Sequence, residues 1–178
     1  KFGNSDEVYL LSVPGRSELS GNHTDHNHGC VVAASIDLDI IAVASARQDS
    51  VIAIKSEGFP EDVVDFSKYN APVEAKFGSS ESIIAGMVQG FIKDGYAVGG
   101  FDAYTTSNVL KGSGLSSSAA YEVLITNVLS GMCNDGKIDA ITIAQISQEA
   151  ENIHFGKPCG LLDQMASSVG GLINIDFK

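Results

Sequence analysis

The sequence has no apolar run of the roughly 18 residues that a membrane-spanning helix requires. Positive charge is also scarce, since 11 lysines and arginines face 22 acidic residues and the net charge is −11. Nucleic acids and anionic membranes are bound by basic surfaces, so we expect neither as a partner. A phosphate ligand stays compatible with this charge, because backbone N–H groups or a metal ion can offset an acidic surface locally.

Cysteine is scarce as well, with only Cys30, Cys133 and Cys159. An odd number at wide spacing is neither a disulfide framework nor a zinc-binding pattern. We expect three reduced, mostly buried thiols and a cytoplasmic protein. Internal repeats and low-complexity linkers are absent too, and 178 residues suffice for one core. We therefore predict a single domain over residues 1–178.

Hydrophobic periodicity predicts a mixture of strands and helices. The predicted strands are residues 8–13, 33–46, 51–55, 101–106 and 172–175. The predicted helices are residues 80–93, 117–129, 140–153 and 161–169. Pro14-Gly15 predicts a turn after the first strand, a hairpin is expected across 47–50, and residues 58–78 read as loop with at most one strand. This order favours an α+β domain over a regular βαβ winding.

A glycine- and serine-rich loop precedes the second predicted helix. We call residues 112–118 the Gly-Ser loop. Its glycines let the backbone turn tightly and approach a ligand closely. The helix that follows offers unpaired N–H groups and the positive end of its dipole, to which anions bind. We therefore predict that the loop binds a polyphosphate, through the residues Gly112, Ser113, Gly114, Leu115, Ser116, Ser117 and Ser118.

The Gly-Ser loop lacks the marks of two common phosphate-binding loops. No Lys-Ser/Thr pair closes it as in a Walker A loop, and the third glycine of the dinucleotide fingerprint is missing. Residues 112–120 instead resemble the second motif of the superfamily named for galactokinase, homoserine kinase, mevalonate kinase and phosphomevalonate kinase (the GHMP kinases). That motif is usually a proline, a few residues and then Gly-Leu-Ser-Ser-Ser-Ala, and the proline position falls at about Leu110 here.

Two further segments narrow this resemblance. Residues 16–26, Arg-Ser-Glu-Leu-Ser-Gly-Asn-His-Thr-Asp-His, resemble the galactokinase signature Arg-Val-Asn-Leu-Ile-Gly-Glu-His-Thr-Asp-Tyr. Residues 159–165, Cys-Gly-Leu-Leu-Asp-Gln-Met, resemble the galactokinase segment Cys-Gly-Ile-Met-Asp-Gln-Phe. The three motifs occur in the family's order, so the chain resembles the N-terminal domain of a galactokinase-like GHMP kinase. This resemblance implies a fold like that of the second domain of ribosomal protein S5.

The resemblance also implies an activity and a set of site residues. The activity is ATP-dependent phosphorylation of a sugar at its C1 hydroxyl. Asp163 would be the catalytic aspartate that accepts or orients the hydroxyl proton, and Arg16 would lie beside it and steady charge on the transferred phosphoryl group. The implied sugar-binding residues are Asn22, His23, Asp25 and Gly160. Ser118 and Glu151, hard oxygen ligands, would hold Mg²⁺.

Residues 16–26 depart from the galactokinase signature at several positions. Where the family has Asn, Ile, Glu and Tyr, this chain has Glu18, Ser20, Asn22 and His26. The change to Asn22 replaces an acceptor-only carboxylate by an amide that both donates and accepts. A site built for one hydroxyl pattern can reject another strongly. The sugar therefore stays open among galactose, an amino or N-acetyl sugar, and others.

Nothing in the sequence resembles the superfamily's third glycine-rich motif. We therefore expect a C-terminal domain outside these residues, packed against this one, and no catalysis by this segment alone. Two alternatives stay open: a galactokinase-like sensor that binds sugar and ATP without turnover, and a GHMP kinase for another alcohol such as homoserine or mevalonate. The retained pair Arg16 and Asp163 argues against the sensor, and the first and third motifs argue against the other kinase.

Overall fold

The structure, a computed structural model, describes residues 7–68 and 78–178. The strands are β1 (Tyr9–Ser20), β2 (Cys30–Ala46), β3 (Val51–Ser56), β4 (Glu61–Asp65), β5 (Phe101–Ser107) and β6 (Leu172–Asp176). The helices are α1 (Ser80–Lys93), α2 (Ser117–Cys133), α3 (Ala140–Glu149) and α4 (Leu162–Val169). None of the helices in the described ranges is long and apolar enough to cross a membrane. The predicted α+β class is confirmed.

The six strands form one sheet with the order β1-β2-β5-β3-β4, and β6 also pairs with β2. All neighbours are antiparallel except β3 and β5, which are parallel. The long strand β2 organises the sheet. One of its edges pairs with β1 over nearly its whole length, and the other pairs first with β6 and then with β5.

The main core lies between this sheet and the helices. In β2 the alternate residues Ile40, Ala42 and Ala44 are buried, as expected for a strand with one covered face. Helices α1 and α2 bury apolar residues such as Phe91 and Leu124 against them. A second, smaller cluster packs α4 onto β2 and β6. It contains Val31, Ala33, Leu162 and Ala166, with Ile173, Ile175 and Phe177 packed against it.

The predicted capping residues at the starts of α1 and α3 are confirmed, but one predicted helix is only partly α-helical. The Ser79 side chain accepts from the backbone N–H of Ser82 at the start of α1, and Asp139 caps α3 in the same way. Residues 140–153 are predicted as one helix, but the α-helix ends at Glu149 and continues as a π-helical turn, Ala150–Phe155. Such turns are frequent at functional sites, and this one carries a residue of the predicted site.

Two strand predictions are wrong. Pro14-Gly15 does not end the first strand, because β1 passes through it with a register shift between Pro14 and Arg16 and continues to Ser20. The proline is tolerated because β1 is an edge strand, where its missing N–H costs no ladder bond. The hairpin across Arg47–Ser50 does not form either. Strand β5 lies between β2 and β3, and β3 reaches it through a crossover that includes α1.

The remaining sequence predictions have mixed outcomes. The mixed stretch 58–78 contains the strand β4, and its residues 69–77 lie outside the described residues. All three cysteines are free, as predicted. The expectation that they are mostly buried is wrong, since Cys30 is exposed at the start of β2 and the other two are partly exposed.

The close contact between Gly86 of α1 and His154 of the π-helical turn can be tested by substitution. A Cβ atom added at Gly86 would lie 2.7 Å from the His154 ring, whereas one added at Gly131 in α2 meets nothing within 4 Å. We expect Gly86→Ala to lower the free energy of unfolding by about 1–3 kcal/mol through overpacking. Gly131→Ala should raise it by about 0.5–1 kcal/mol, because alanine loses less backbone entropy in a helix. Urea unfolding of the full-length protein measures both, and equal effects would contradict the tight contact.

Candidate active site

The predicted catalytic pair, Arg16 and Asp163, is formed. Arg16 Nε donates to Asp163 Oδ1 at 2.7 Å, although 147 residues separate them in the chain. Arg16 is only 6% exposed, and its Nη1 donates to the carbonyl of Gly114 at 2.8 Å. The backbone N–H of Arg16 donates to the carbonyl of Leu115 at 3.1 Å. One arginine therefore joins β1, the Gly-Ser loop and the start of α4.

Gly15 allows this close approach of β1 to the Gly-Ser loop. A Cβ atom at Gly15 would lie 2.8 Å from the carbonyl oxygen of Leu115, which is closer than real Cβ contacts come. The same oxygen accepts the Arg16 N–H, so a larger residue at position 15 would push apart the two segments that Arg16 joins. Gly15, immediately before the galactokinase-like segment 16–26, thus serves packing at the site.

The second oxygen of Asp163 accepts from Ser116 Oγ at 2.5 Å. Ser116 has a left-handed backbone (φ 59°) immediately before α2, and its side chain makes no capping bond to the helix. Its hydroxyl is therefore turned towards Asp163, a role that the sequence does not indicate. The phosphate-binding role predicted for Ser116 stays a prediction.

The rest of the Gly-Ser loop is open. Gly112 and Gly114 have φ angles of 77° and 78°, which favour glycine, and a Cβ at either would meet nothing within 4 Å. Ser113 Oγ donates to the carbonyl of Leu110 at 2.6 Å and so closes the turn. Ser118 is exposed in the first turn of α2. The N-terminus of α2 with its exposed loop is the kind of surface that binds phosphate.

The first loop, residues 21–29, holds a histidine in place through Glu18. Asn22 and His23 both have left-handed backbones, which asparagine tolerates better than most residues. The N–H of His23 donates to Glu18 Oε1 at 2.9 Å, and His23 Nε2 lies 3.3 Å from Glu18 Oε2. The Glu18 side chain is only 13% exposed. Glu18, which reads in the sequence only as a departure from the signature, thus orients the predicted sugar-binding His23.

The predicted sugar-binding residues Asp25 and Gly160 contact each other. The Asp25 side chain is 5% exposed, and its Oδ2 accepts from the N–H of Leu162 at 3.2 Å. A Cβ atom at Gly160 would overlap the Asp25 carboxylate. Asp25 therefore ties the first loop to the segment that leads into α4, and the sugar-binding roles of both residues stay predictions.

A buried polar cluster adjoins this site, and sequence reasoning finds only one of its members, Glu151. Gln164 Nε2 donates to Glu122 Oε2 at 3.0 Å and to Glu151 Oε2 at 2.9 Å. Lys157 Nζ donates to Glu151 Oε1 at 2.7 Å. Glu122, Glu151 and Gln164 are all buried. The available signals are weak: Gln164 follows Asp163 in the third motif, and Glu122 interrupts the apolar face of α2 one turn after Ser118.

The cluster holds two carboxyl groups and one ammonium. Burial, reinforced by the negative charge of Glu151, raises the pKa of Glu122 to about 8, so this carboxyl is largely protonated at neutral pH. The hydrogen bond to Glu151 raises the pKa of the Lys157 ammonium. Glu151 and Lys157 are therefore the charged pair of the cluster, and Glu122 is its neutral member. Burial also raises the pKa of the neighbouring Cys159 thiol, which makes it a poor nucleophile.

The predicted Mg²⁺ ligands have suitable donor chemistry. Within residues 7–68 and 78–178, no three His, Cys, Asp or Glu side chains converge as a metal site built from protein alone would require. Mg²⁺ is usually bound by one or two carboxylates together with substrate phosphates. Glu151 offers one buried carboxylate whose Oε1 already accepts from a cationic group, and Ser118 offers a hydroxyl beside the Gly-Ser loop.

The chain is similar to known proteins over most of its length. Residues 70–171 match the model of the GHMP kinases N terminal domain, and residues 1–46 match the galactokinase galactose-binding signature. Galactokinase of Clostridium tetani (strain Massachusetts / E88) is 35% identical over 157 residues, which are 88% of this chain and 40% of that protein. Galactokinase of Pyrococcus furiosus is 37% identical over 167 residues, which are 94% of this chain and 46% of that protein.

A solved structure shows the same architecture. The crystal structure of Lactococcus lactis galactokinase complexed with galactose matches with a TM-score of 0.88 and 31% identity. The match covers 99% of this chain and 46% of that chain. The chain thus spans less than half the length of these relatives.

The protonated Glu122 predicts a pH dependence of stability. Its folded pKa of about 8 lies above the usual 4.5, so its contribution to stability is full below pH 4.5 and is lost as the pH rises to about 8. Glu122→Gln mimics the protonated form and does not titrate. We expect the variant to gain stability over the parent by up to roughly 1.4 kcal/mol per pH unit across that window. Urea unfolding at stepped pH tests this, and a pH-independent difference would contradict it.

Proposed function

Because this chain belongs to the GHMP kinases, as a galactokinase-like member, we propose that it forms the ATP- and sugar-binding domain of a sugar-1-kinase. The observation that carries the proposal is the buried Arg16–Asp163 pair, which lies against the Gly-Ser loop. Phosphoryl transfer depends mainly on positioning and charge stabilisation, and this pair meets both needs at one point.

The proposed phosphate donor is ATP, bound along residues 112–118. Backbone N–H groups at the start of α2 hold phosphate oxygens, and the glycines let the backbone come close. When bound, Mg²⁺ neutralises charge on the phosphate oxygens, and Ser118 and Glu151 would hold it. Both side chains belong to segments next to Asp163: Ser118 to the first turn of α2 and Glu151 to the cluster around Gln164.

The proposed acceptor is the C1 hydroxyl of galactose or a related sugar. A bond forms between the C1 oxygen and the γ-phosphorus of ATP, while the bond from that phosphorus to the β,γ-bridging oxygen breaks and ADP leaves. Asp163 accepts or orients the hydroxyl proton, and Arg16 stabilises charge on the transferred group. Asn22, His23, Asp25 and Gly160 bind the sugar. The match of residues 1–46 to a galactose-binding signature supports this class of acceptor.

We further propose that a second domain completes the site. The curated relatives are more than twice as long as the segment that they share with this chain, which supports a larger enzyme. In this proposal the parent protein is the active kinase, and these 178 residues alone are inactive. A cytoplasmic location belongs to the same proposal, and the three free cysteines support it.

Asp163→Asn in the full-length protein tests the catalytic assignment. The amide keeps the shape of the carboxylate but cannot accept the proton, so we expect kcat to fall by about 10²–10⁴-fold with ATP and sugar binding largely retained. The matched control is Asp135→Asn, an exposed aspartate paired with Lys137 in the turn after α2. A variant at position 163 that retains most of its turnover would refute the assignment.

A substrate panel tests the function itself. The full-length protein with ATP and Mg²⁺ should phosphorylate galactose, an amino sugar or an N-acetyl sugar, and phosphorus NMR should place the new phosphate on C1. Binding of ATP and sugar without turnover of any sugar would favour the sensor. Turnover of homoserine or mevalonate, with no sugar accepted, would favour a different GHMP kinase.

A further inference from the structure

Glu151 and Lys157 are unequal partners in their ion pair. The Glu151 side chain is 4% exposed, and its other oxygen is held by Gln164. The Lys157 side chain is 58% exposed and reaches the carboxylate from the surface at 2.7 Å. The carboxylate is therefore fixed inside the protein, whereas the ammonium can withdraw into water on its flexible stem.

Among residues 7–68 and 78–178, Lys157 is the cation that pairs with Glu151. The other side chains of the cluster are the carboxyl group of Glu122, the amide of Gln164 and the thiol of Cys159, none of which is a cation. A buried carboxylate without a compensating charge is strongly unfavourable. Glu151 therefore needs a positive charge at Oε1, and in this structure Lys157 supplies it.

We propose that Lys157 sets the affinity of the site for divalent cations, because its ammonium holds the Glu151 oxygen that a metal ion would take. The inference rests on the proposed function in one respect, which is that Glu151 is a metal ligand. Metal binding then exchanges one cation for another: Lys157 leaves Oε1 and its ammonium becomes hydrated. The carboxylate is compensated in both states.

This exchange has a consequence for the order of binding. A free divalent ion has to displace Lys157 with little help from other protein ligands. An ion that arrives with a nucleotide brings phosphate oxygens that complete its coordination. Lys157 therefore weakens metal binding more when nucleotide is absent than when nucleotide is bound.

The test measures Mn²⁺ binding rather than turnover. Free Mn²⁺ is quantified by electron paramagnetic resonance in titrations of the full-length protein without nucleotide. Lys157→Met keeps the stem and removes the charge, and we expect it to bind Mn²⁺ about fivefold more tightly than the parent, the effect of an accessible ion pair of ordinary strength. Lys157→Arg keeps the charge and should resemble the parent. Lys137→Met removes an exposed lysine remote from the cluster and serves as the control.

An unchanged or weakened affinity of Lys157→Met for Mn²⁺ would overturn the inference. Displacement of the Lys157 ammonium from Glu151 is also observable in the parent protein, so the test does not depend on the folding of a variant. The NMR resonance of the Lys157 ammonium should lose its ion-pair signature when Mg²⁺ is added. A resonance that stays unchanged at saturating Mg²⁺ would equally overturn it.

Glu151→Gln distinguishes a failure of the proposed metal site from a failure of the inference about Lys157. If it leaves Mn²⁺ affinity intact, the metal assignment of the proposed function fails; if it weakens binding while Lys157→Met does not strengthen it, only this inference fails.

Discussion

The buried guanidinium of Arg16 is the constraint on which the site depends. A charge taken out of water needs acceptors on every side that faces protein, and Arg16 finds them in Asp163 and in the carbonyl of Gly114. These partners come from segments far apart in the chain. The guanidinium therefore fixes the distance between β1, the Gly-Ser loop and the start of α4 more firmly than apolar packing alone would. Removing one partner would leave a buried charge uncompensated.

The sheet and the small cluster around Leu162 hold this arrangement from outside. The edge strand β1 carries Arg16 past a bulge, and the bulge turns the strand without ending it. Helix α4 is fixed by two independent sets of contacts: apolar packing on β2 and β6, and the hydrogen bonds of Gln164 to two buried carboxyl groups. Asp163, which lies between Leu162 and Gln164, is positioned by both.

The sequence predicts much of the fold and the centre of the site. The order of predicted strands and helices leads to the α+β class, and the three motifs lead to the family and to the pairing of Arg16 with Asp163, because each motif has a strong local pattern. The errors concern the path of the chain. Pro14-Gly15 has the composition of a turn, and only pairing with β2 shows that the strand continues. The sequence also cannot show that Glu18 orients His23 or that Lys157 pairs with Glu151, since neither contact has a local signature.

The pairing of β6 with β2 affects when the candidate site can form during synthesis of the chain. Residues 172–176 form β6, which pairs with β2 and packs Ile173 and Ile175 against the cluster that holds α4. A nascent chain that has exposed both Arg16 and Asp163 still lacks this support until β6 has emerged and paired with a strand made more than a hundred residues earlier. Such long-range pairing is slow compared with helix formation. The packing of α4, and with it the position of Asp163 beside Arg16, is therefore completed only after this long-range pairing has formed.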